Sequence, residues 1–343
     1  MDGFTQGALG AAAAQVVYGK RLGRWALPIG WAAGMLADAD LFVTNSADPL
    51  WGWTFHRSMT HALAFVPIGA LIACVPFLLA PTLRSRWKEL YGACFLAYLT
   101  HAPLDATTTY GTVLLWPFDD VRVSWDIMSI IDPVFTLLLL GGVIWSALRR
   151  STAPARIGVA LAGAYMALCA LQHARAEAVQ KRLVVARGHQ VEAARVMPTL
   201  ANAVLYRSLY RDDSGRLFAD AVRVPLTGPA TFRAGDSAPV FDPARERLLE
   251  RAAAPERLRR DLDRFAWFSD RMWARTPGQP ALVGDMRITA DPARLAPLWG
   301  IIVAPADPNT PVQRGDGAGR DAIAIGELWR EIIGDDPRHQ PAP

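Results

Sequence analysis

Charge is scarce in the first half of this chain. Residues 1–172 carry 11 of the 36 Lys and Arg residues and 10 of the 32 Asp and Glu residues; the other 25 and 22 lie beyond. Such a division excludes one evenly solvated domain: the first half reads as membrane-like and the second as soluble. Six segments are free of Asp, Glu, Lys and Arg or nearly so: 4–19, 26–43 (apart from Asp38 and Asp40), 58–83, 90–104, 127–148 (apart from Asp132) and 157–172. Segment 58–83 exceeds the ~20 residues that span a bilayer. The first, fourth and sixth are shorter and must tilt, thin the bilayer or span partially. The expected fold class is mainly α. A polytopic bundle of about six transmembrane helices over 1–172 precedes a small α+β soluble domain over 173–343.

The remaining charges give the expected bundle a direction. Lys20, Arg21, Arg24, Arg84, Arg86, Lys88, Arg149, Arg150 and Arg156 fall on one side, against Arg57 and Arg122 on the other. The positive-inside rule makes the first side cytoplasmic. The expectation is a multi-pass inner-membrane protein with its C-terminal domain on the periplasmic side. A cleavable signal peptide is not expected, since the N-terminus lacks a basic n-region. Cys74, Cys94 and Cys169 form no CxxC or Cys/His pattern and read as buried thiols. The pI of about 9.1 does not point to nucleic acid, because basic and acidic residues interleave. Trp51, Trp53, Trp116 and Trp125 read as an interfacial aromatic belt.

Beyond His173, residues 174–190 read as a charged helical extension. Two β-type runs around the turn-forming DDSG make 203–225 a hairpin. Helical spacing runs over 243–275, short strands are expected at 281–288 and 298–304, and the Pro-, Gly- and Asp-rich tail after about 305 is expected to be loosely ordered.

Seven ionisable residues interrupt the apolar half, and the predicted topology brings all seven to one face. They are Asp38 and Asp40 in LADAD, His56 and His61 in HRSMTH, His101 and Asp105 in HAPLD, and Asp132 in IIDP. Charge next to hydrocarbon is costly, so such a cluster marks a functional site. Asp and His are the usual oxygen and nitrogen ligands of zinc and similar divalent metals. The expected ligands are Asp38, Asp40, His56, His61, His101 and Asp105, holding one or two zinc ions. His101 and Asp105, four apart, share one helix face. The spacings of five and two in the other pairs require helix ends or loops. A divalent ion so held activates water for hydrolysis of a phosphoester. Asp132 is the expected general base and Asp40 the second choice, although Asp132 before Pro133 serves equally as a helix cap. Arg57 and Arg122 either pair with a carboxylate or bind a substrate phosphate. A purely structural metal site is the main alternative. Metal or proton transport would want polar residues on more than one face.

The segments MDGFTQGALGAA, GMLADAD, HRSMTHAL, YLTHAPLDATTTYGTVLLWPF and IIDPVFTL resemble, in order and spacing, the YdjM-like inner-membrane family of metal-dependent hydrolases. Trp267 and the VGDMRI segment resemble the C-terminal part of its longer bacterial members. The resemblance implies distant similarity to zinc-dependent phospholipase C and the fungal single-strand nucleases, hence zinc-dependent phosphodiester chemistry. It carries Asp2, Asp38, Asp40, His56, His61, His101, Asp105 and Asp132 as the family's polar pattern. This chain departs from it at Gln6, where many members have His, at Ala37, where they have Pro, and at Ser58-Met59, where they have Gly-Phe. The expected substrate is a lipid or lipid-linked molecule in the bilayer, with no nucleic-acid partner.

Overall fold

The structure, a computed structural model, describes residues 1–251, 255–303, 312–317, 319 and 325–343. The chain divides into two compact units. One comprises Met1–Val43 and Phe55–Leu171, and the other Thr44–Thr54 and Gln172–Pro343.

The first unit is helical. Helices α1 (Gly3–Leu22) and α2 (Ala26–Met35) are followed by a 3-10 segment, Leu36–Phe42. After α3 (Trp51–Phe55), which begins in the other unit, come α4 (Val66–Cys74), α5 (Pro81–Arg84), α6 (Trp87–Ala106) and α7 (Pro133–Arg149). Helix α8 (Ala153–Arg187) runs 35 residues. The core lies among α1, α2, α4 and α6, where Ala14, Ile29, Ala33, Ala70, Leu90, Ala93, Cys94 and Ala97 are buried together. Small residues let α1 and α2 approach closely. A Cβ on Gly34 would stand 2.6 Å from the Gln6 carbonyl oxygen.

This architecture corrects the expected six-helix polytopic bundle. Among the described residues one helix, α8, is long and apolar enough to cross a membrane; a bent pair, Trp51–His61 with Leu63–Leu79, raises the number to two at most. Composition does not measure helix length. The uncharged run 26–43 yields a helix of ten residues, ~15 Å long against the ~30 Å hydrocarbon core. Run 58–83 is cut into 3-10 turns, a nine-residue α4 with Pro67 in its first turn, a 3-10 segment carrying Pro76, and the short α5 opened by Pro81. Run 127–148 becomes helical only at Pro133. Many apolar side chains of this unit are nonetheless exposed, among them Ile68, Leu71, Val75, Leu137, Ile144 and Leu148. Lys20 and Arg21 end α1, Lys88 opens α6 and Arg149 ends α7.

The second unit contains two antiparallel sheets where a small α+β domain was expected. Strands β1 (Val191–Pro198), β2 (Leu205–Asp212), β3 (Arg216–Arg223) and β4 (Thr231–Pro239) form the first, closed by a two-residue edge strand near the C-terminus. Next come α9 (Leu248–Arg251) and α10 (Pro255–Phe268). The second sheet holds β5 (Trp273–Thr276), β6 (Gln279–Asp285), β7 (Trp299–Ile302) and β8 (Gln313–Asp316). Helix α11 (Ile325–Ile333) and the edge strand β9 (Gln340–Pro341) follow. The β2–β3 hairpin turns at DDSG, where Gly215 has φ 76°. Trp273 opens β5 instead of extending the helix, because Asp270 and Arg271 take positive φ after α10. In the tail after 305, residues 304–311, 318 and 320–324 lie outside the described residues, whereas β8, α11 and β9 are ordered elements. Trp53 is not part of an aromatic belt: it is buried and stacks on Phe268 with ring centroids 5.4 Å apart. All three cysteines are free and buried.

Candidate metal centre

Helix ends deliver the polar residues. Asp38 and Asp40 ride on the 3-10 segment that ends α2, so residues two apart point in different directions. His56 follows the end of α3, and Arg57 takes a φ of 64° before the 3-10 turn Met59–His61. His101 and Asp105 occupy the last turns of α6 beyond its main span, around Pro103.

Two groups result, Asp38–His61–His101–Asp105 and Asp40–His56–His61, with His61 in both. In the first, His61 Nε2 and His101 Nε2 are 3.1 Å apart. Asp38 Oδ1 lies 3.4 Å from each. Asp105 Oδ2 lies 3.4 Å from His61 Nε2 and 3.5 Å from His101 Nε2. Four donors bound at ~2.0–2.1 Å in a tetrahedron stand about 3.3–3.4 Å from one another, which these separations match.

Hydrogen bonding fixes the ring tautomers. His101 Nδ1 donates to the Gly34 carbonyl at 2.6 Å, which can only accept. The Thr60 hydroxyl donates to Asp40 Oδ2 at 2.7 Å, so its oxygen accepts from His61 Nδ1 at 3.0 Å. Both Nε2 atoms therefore present lone pairs to the same point, beside two carboxylate oxygens. Asp105 Oδ2 is buried and has no hydrogen-bond partner. Four converging donors, one of them an Asp105 oxygen that accepts no hydrogen bond, fit a divalent cation.

The surroundings hold these donors from behind. Asp40 accepts from His56 Nδ1 at 2.7 Å through its other oxygen. Asp105 Oδ1 accepts from Gln6 Nε2 at 2.9 Å and from the Met1 amino group. Arg57 is buried, with Nε 3.3 Å from Asp105 Oδ2 and Nη1 donating to Thr108 Oγ1 at 3.1 Å. Of its two expected roles, Arg57 thus has the carboxylate pairing; Arg122 donates to the Tyr110 and Gly111 carbonyls.

All six expected ligands fall in these two groups, and Asp132 falls in neither. Asp132 caps α7: Oδ1 accepts from the Phe135 N–H at 3.0 Å and Oδ2 from the Tyr165 hydroxyl at 2.9 Å. Asp2 likewise caps α1 through Thr5. Sequence reasoning missed the supporting residues Gln6, Gly34 and Thr60. Thr60, between the two histidines of HRSMTH, carried a signal in its position. Gly34 contributes only a backbone oxygen and carried none.

Residues 1–176 match the family described as YdjM inner membrane protein. The chain belongs to the YdjM inner membrane protein family. The match covers every residue of both groups, and it places this YdjM-family chain at the inner membrane. No curated protein and no solved structure matches the chain.

Proposed function

We propose that this YdjM-family protein is a metal-dependent hydrolase that cleaves a phosphoester in a lipid or lipid-linked substrate at the inner membrane. The observation that carries the reading is the meeting of two imidazole Nε2 atoms, 3.1 Å apart, with two carboxylate oxygens that each lie 3.4–3.5 Å from both nitrogens. The set contains no sulfur, and zinc is the ion that best suits two imidazoles and two carboxylates. A divalent ion bound there would supply Lewis acidity and activate water.

The residues divide the work. His61, His101 and Asp105 are buried to within 1% and form the fixed part of the set. Asp38, with 18% of its side chain exposed, is the donor nearest solvent. In catalytic zinc sites three protein donors hold the ion and water takes the fourth position; here His61, His101 and Asp105 would be the three, and Asp38 would stand beside the water as its hydrogen-bond acceptor and not as a ligand. Asp38 is accordingly the residue placed to accept a proton from the attacking water. Asp40 orients His61 through Thr60, as a carboxylate behind a metal-bound imidazole does. Arg57 offsets the charge of Asp105 in the buried site. Asp132 keeps its place as the cap of α7. Membership of an inner-membrane family supports a lipid or lipid-linked substrate class.

A structural ion is the second reading, favoured by the same four donors, which can close the coordination sphere without water. The two readings part at Asp38. Wild type, Asp38→Asn and a chelated control are assayed on phospholipid, lipid-pyrophosphate and phosphodiester substrates, with bound metal measured alongside. Catalysis requires chelator-sensitive turnover in wild type that falls at least 100-fold in Asp38→Asn while most of the metal stays bound. No turnover on any substrate, with metal fully retained, establishes the structural reading.

A further inference from the structure

The segment between the two ligand-bearing motifs belongs to the C-terminal unit. The chain leaves the first unit after Val43, three residues beyond Asp40, and returns at Phe55, one residue before His56. The strap between, Thr44–Thr54, is held by residues more than 200 positions away. Arg264 on α10 donates from Nη1 to Asp48 Oδ1 at 3.0 Å and from Nη2 to Asp48 Oδ2 at 2.7 Å. Its Nη2 also donates to Thr54 Oγ1 at 2.8 Å. One guanidinium therefore ties both halves of the strap and sets the distance across it. Trp53 stacks on Phe268, tilts on Phe265 at 5.5 Å, and lies 4.2 Å from the Arg314 guanidinium. Leu50 is 1% exposed.

The strap's outer ends also meet. Asp40 and His56, sixteen positions apart, are joined by a 2.7 Å hydrogen bond. We infer that Arg264 and the Phe265/Phe268 pair of α10 are positioning residues for the metal centre, clamping the strap so that Asp40 and the His56–His61 turn arrive in register. This rests on reading the four-donor set as a metal site, and it gives the C-terminal unit a task. A free strap of that length would let its ends wander, and closing it would cost entropy each time the ion bound. The bidentate pair and the stacked indole remove that freedom in advance. Neither Arg264 nor Trp53 belongs to the ligand groups. A loss of metal affinity on changing them, in a protein that keeps its fold, therefore passes through the strap.

The test uses the full chain, purified in detergent and loaded with zinc, and measures zinc retention against a chromogenic chelator. Arg264→Ala and Trp53→Ala should each weaken retention by about 10- to 100-fold, the loss typical of residues that orient ligands. Asp48→Asn removes the charge pair without touching α10 and should fall in the same direction, which covers misfolding of the other two. Exchanging the charges, Asp48→Arg with Arg264→Asp, should recover part of the loss. Amide exchange should quicken at His56–His61 and stay unchanged within α6. Wild type that binds no zinc removes the metal-site reading and this inference together. Wild type that binds zinc, with Asp48→Asn and Arg264→Ala retaining it equally, overturns the clamp alone.

Discussion

Replacing His101 with alanine removes one of four donors and the ring that the Gly34 carbonyl holds. Structural zinc sites with four protein ligands are worth ~10–16 kcal/mol in apparent binding free energy. A quarter of that is about 3 kcal/mol, and 1.4 kcal/mol is tenfold, so the dissociation constant should rise at least 100-fold. The loss can be read as stability. At free zinc held at 100 times the wild-type dissociation constant, binding stabilises the native state by about 2.7 kcal/mol. A variant binding 100-fold more weakly keeps only about 0.4 kcal/mol under the same conditions. The assay is thermal unfolding of wild type and His101→Ala, each in zinc buffer and in excess chelator, with bound metal measured directly. Comparing the zinc-linked shift within each protein cancels the cavity that the lost ring leaves in both conditions. Wild type should gain stability from zinc and His101→Ala almost none. An equal zinc-linked shift in the two proteins would refute the four-donor site, because His101 Nε2 lies within 3.5 Å of each of its other members.

Two further outcomes follow from groups outside the donor set. Tyr165→Phe removes the hydroxyl that donates to Asp132 Oδ2, and should cost about 1 kcal/mol of stability without altering zinc content; zinc loss in this variant would return Asp132 to the metal centre. Asp48 is partly shielded, which alone would raise its pKa, but the Arg264 guanidinium holds it below the ordinary 3.8. A depressed carboxylate stabilises the fold above its unfolded pKa and loses that contribution as pH falls through the folded value. The melting-temperature gap between wild type and Asp48→Asn should therefore hold from pH 8 to 5 and close below about pH 4. A gap that closes between pH 7 and 5 would show that the Asp48–Arg264 pair is not its source.

The clustering of the Asp and His residues was far more legible in the sequence than the fold around them. Asp and His in an apolar chain stand out by residue type alone, and the spacings of two and five already demanded helix ends or loops. The helices were misread because hydropathy records what a segment is made of and not where its hydrogen bonding breaks. LADAD breaks run 26–43 with two carboxylates, and three prolines cut run 58–83. For Asp132 the sequence offered both a base and a helix cap; the structure shows the cap, with partners Phe135 from its own helix and Tyr165 from α8. The strap was invisible for a different reason. Nothing local in Thr44–Thr54 reveals that Arg264, 216 positions beyond Asp48, will hold it. In the C-terminal unit the DDSG hairpin was readable because the turn carries its own signal, whereas the end of α10 depends on two non-glycine residues with positive φ.

Gly34 joins the site to the scaffold through its backbone. Its carbonyl accepts from His101, and its missing side chain lets α2 lie against Gln6 on α1. No change of side chain can delete that carbonyl, so the imidazole is anchored to the path of the main chain itself. The stiffness of the ion's cradle is then the stiffness of the α1–α2 seam. Gly10 and Gly30, where a Cβ would stand 2.4 Å from the facing carbonyl oxygen, belong to neither donor group, yet widening the seam there would be transmitted to His101. Tolerance to substitution along these two helices should therefore track how closely their backbones meet, and not how near a residue stands to the four donors.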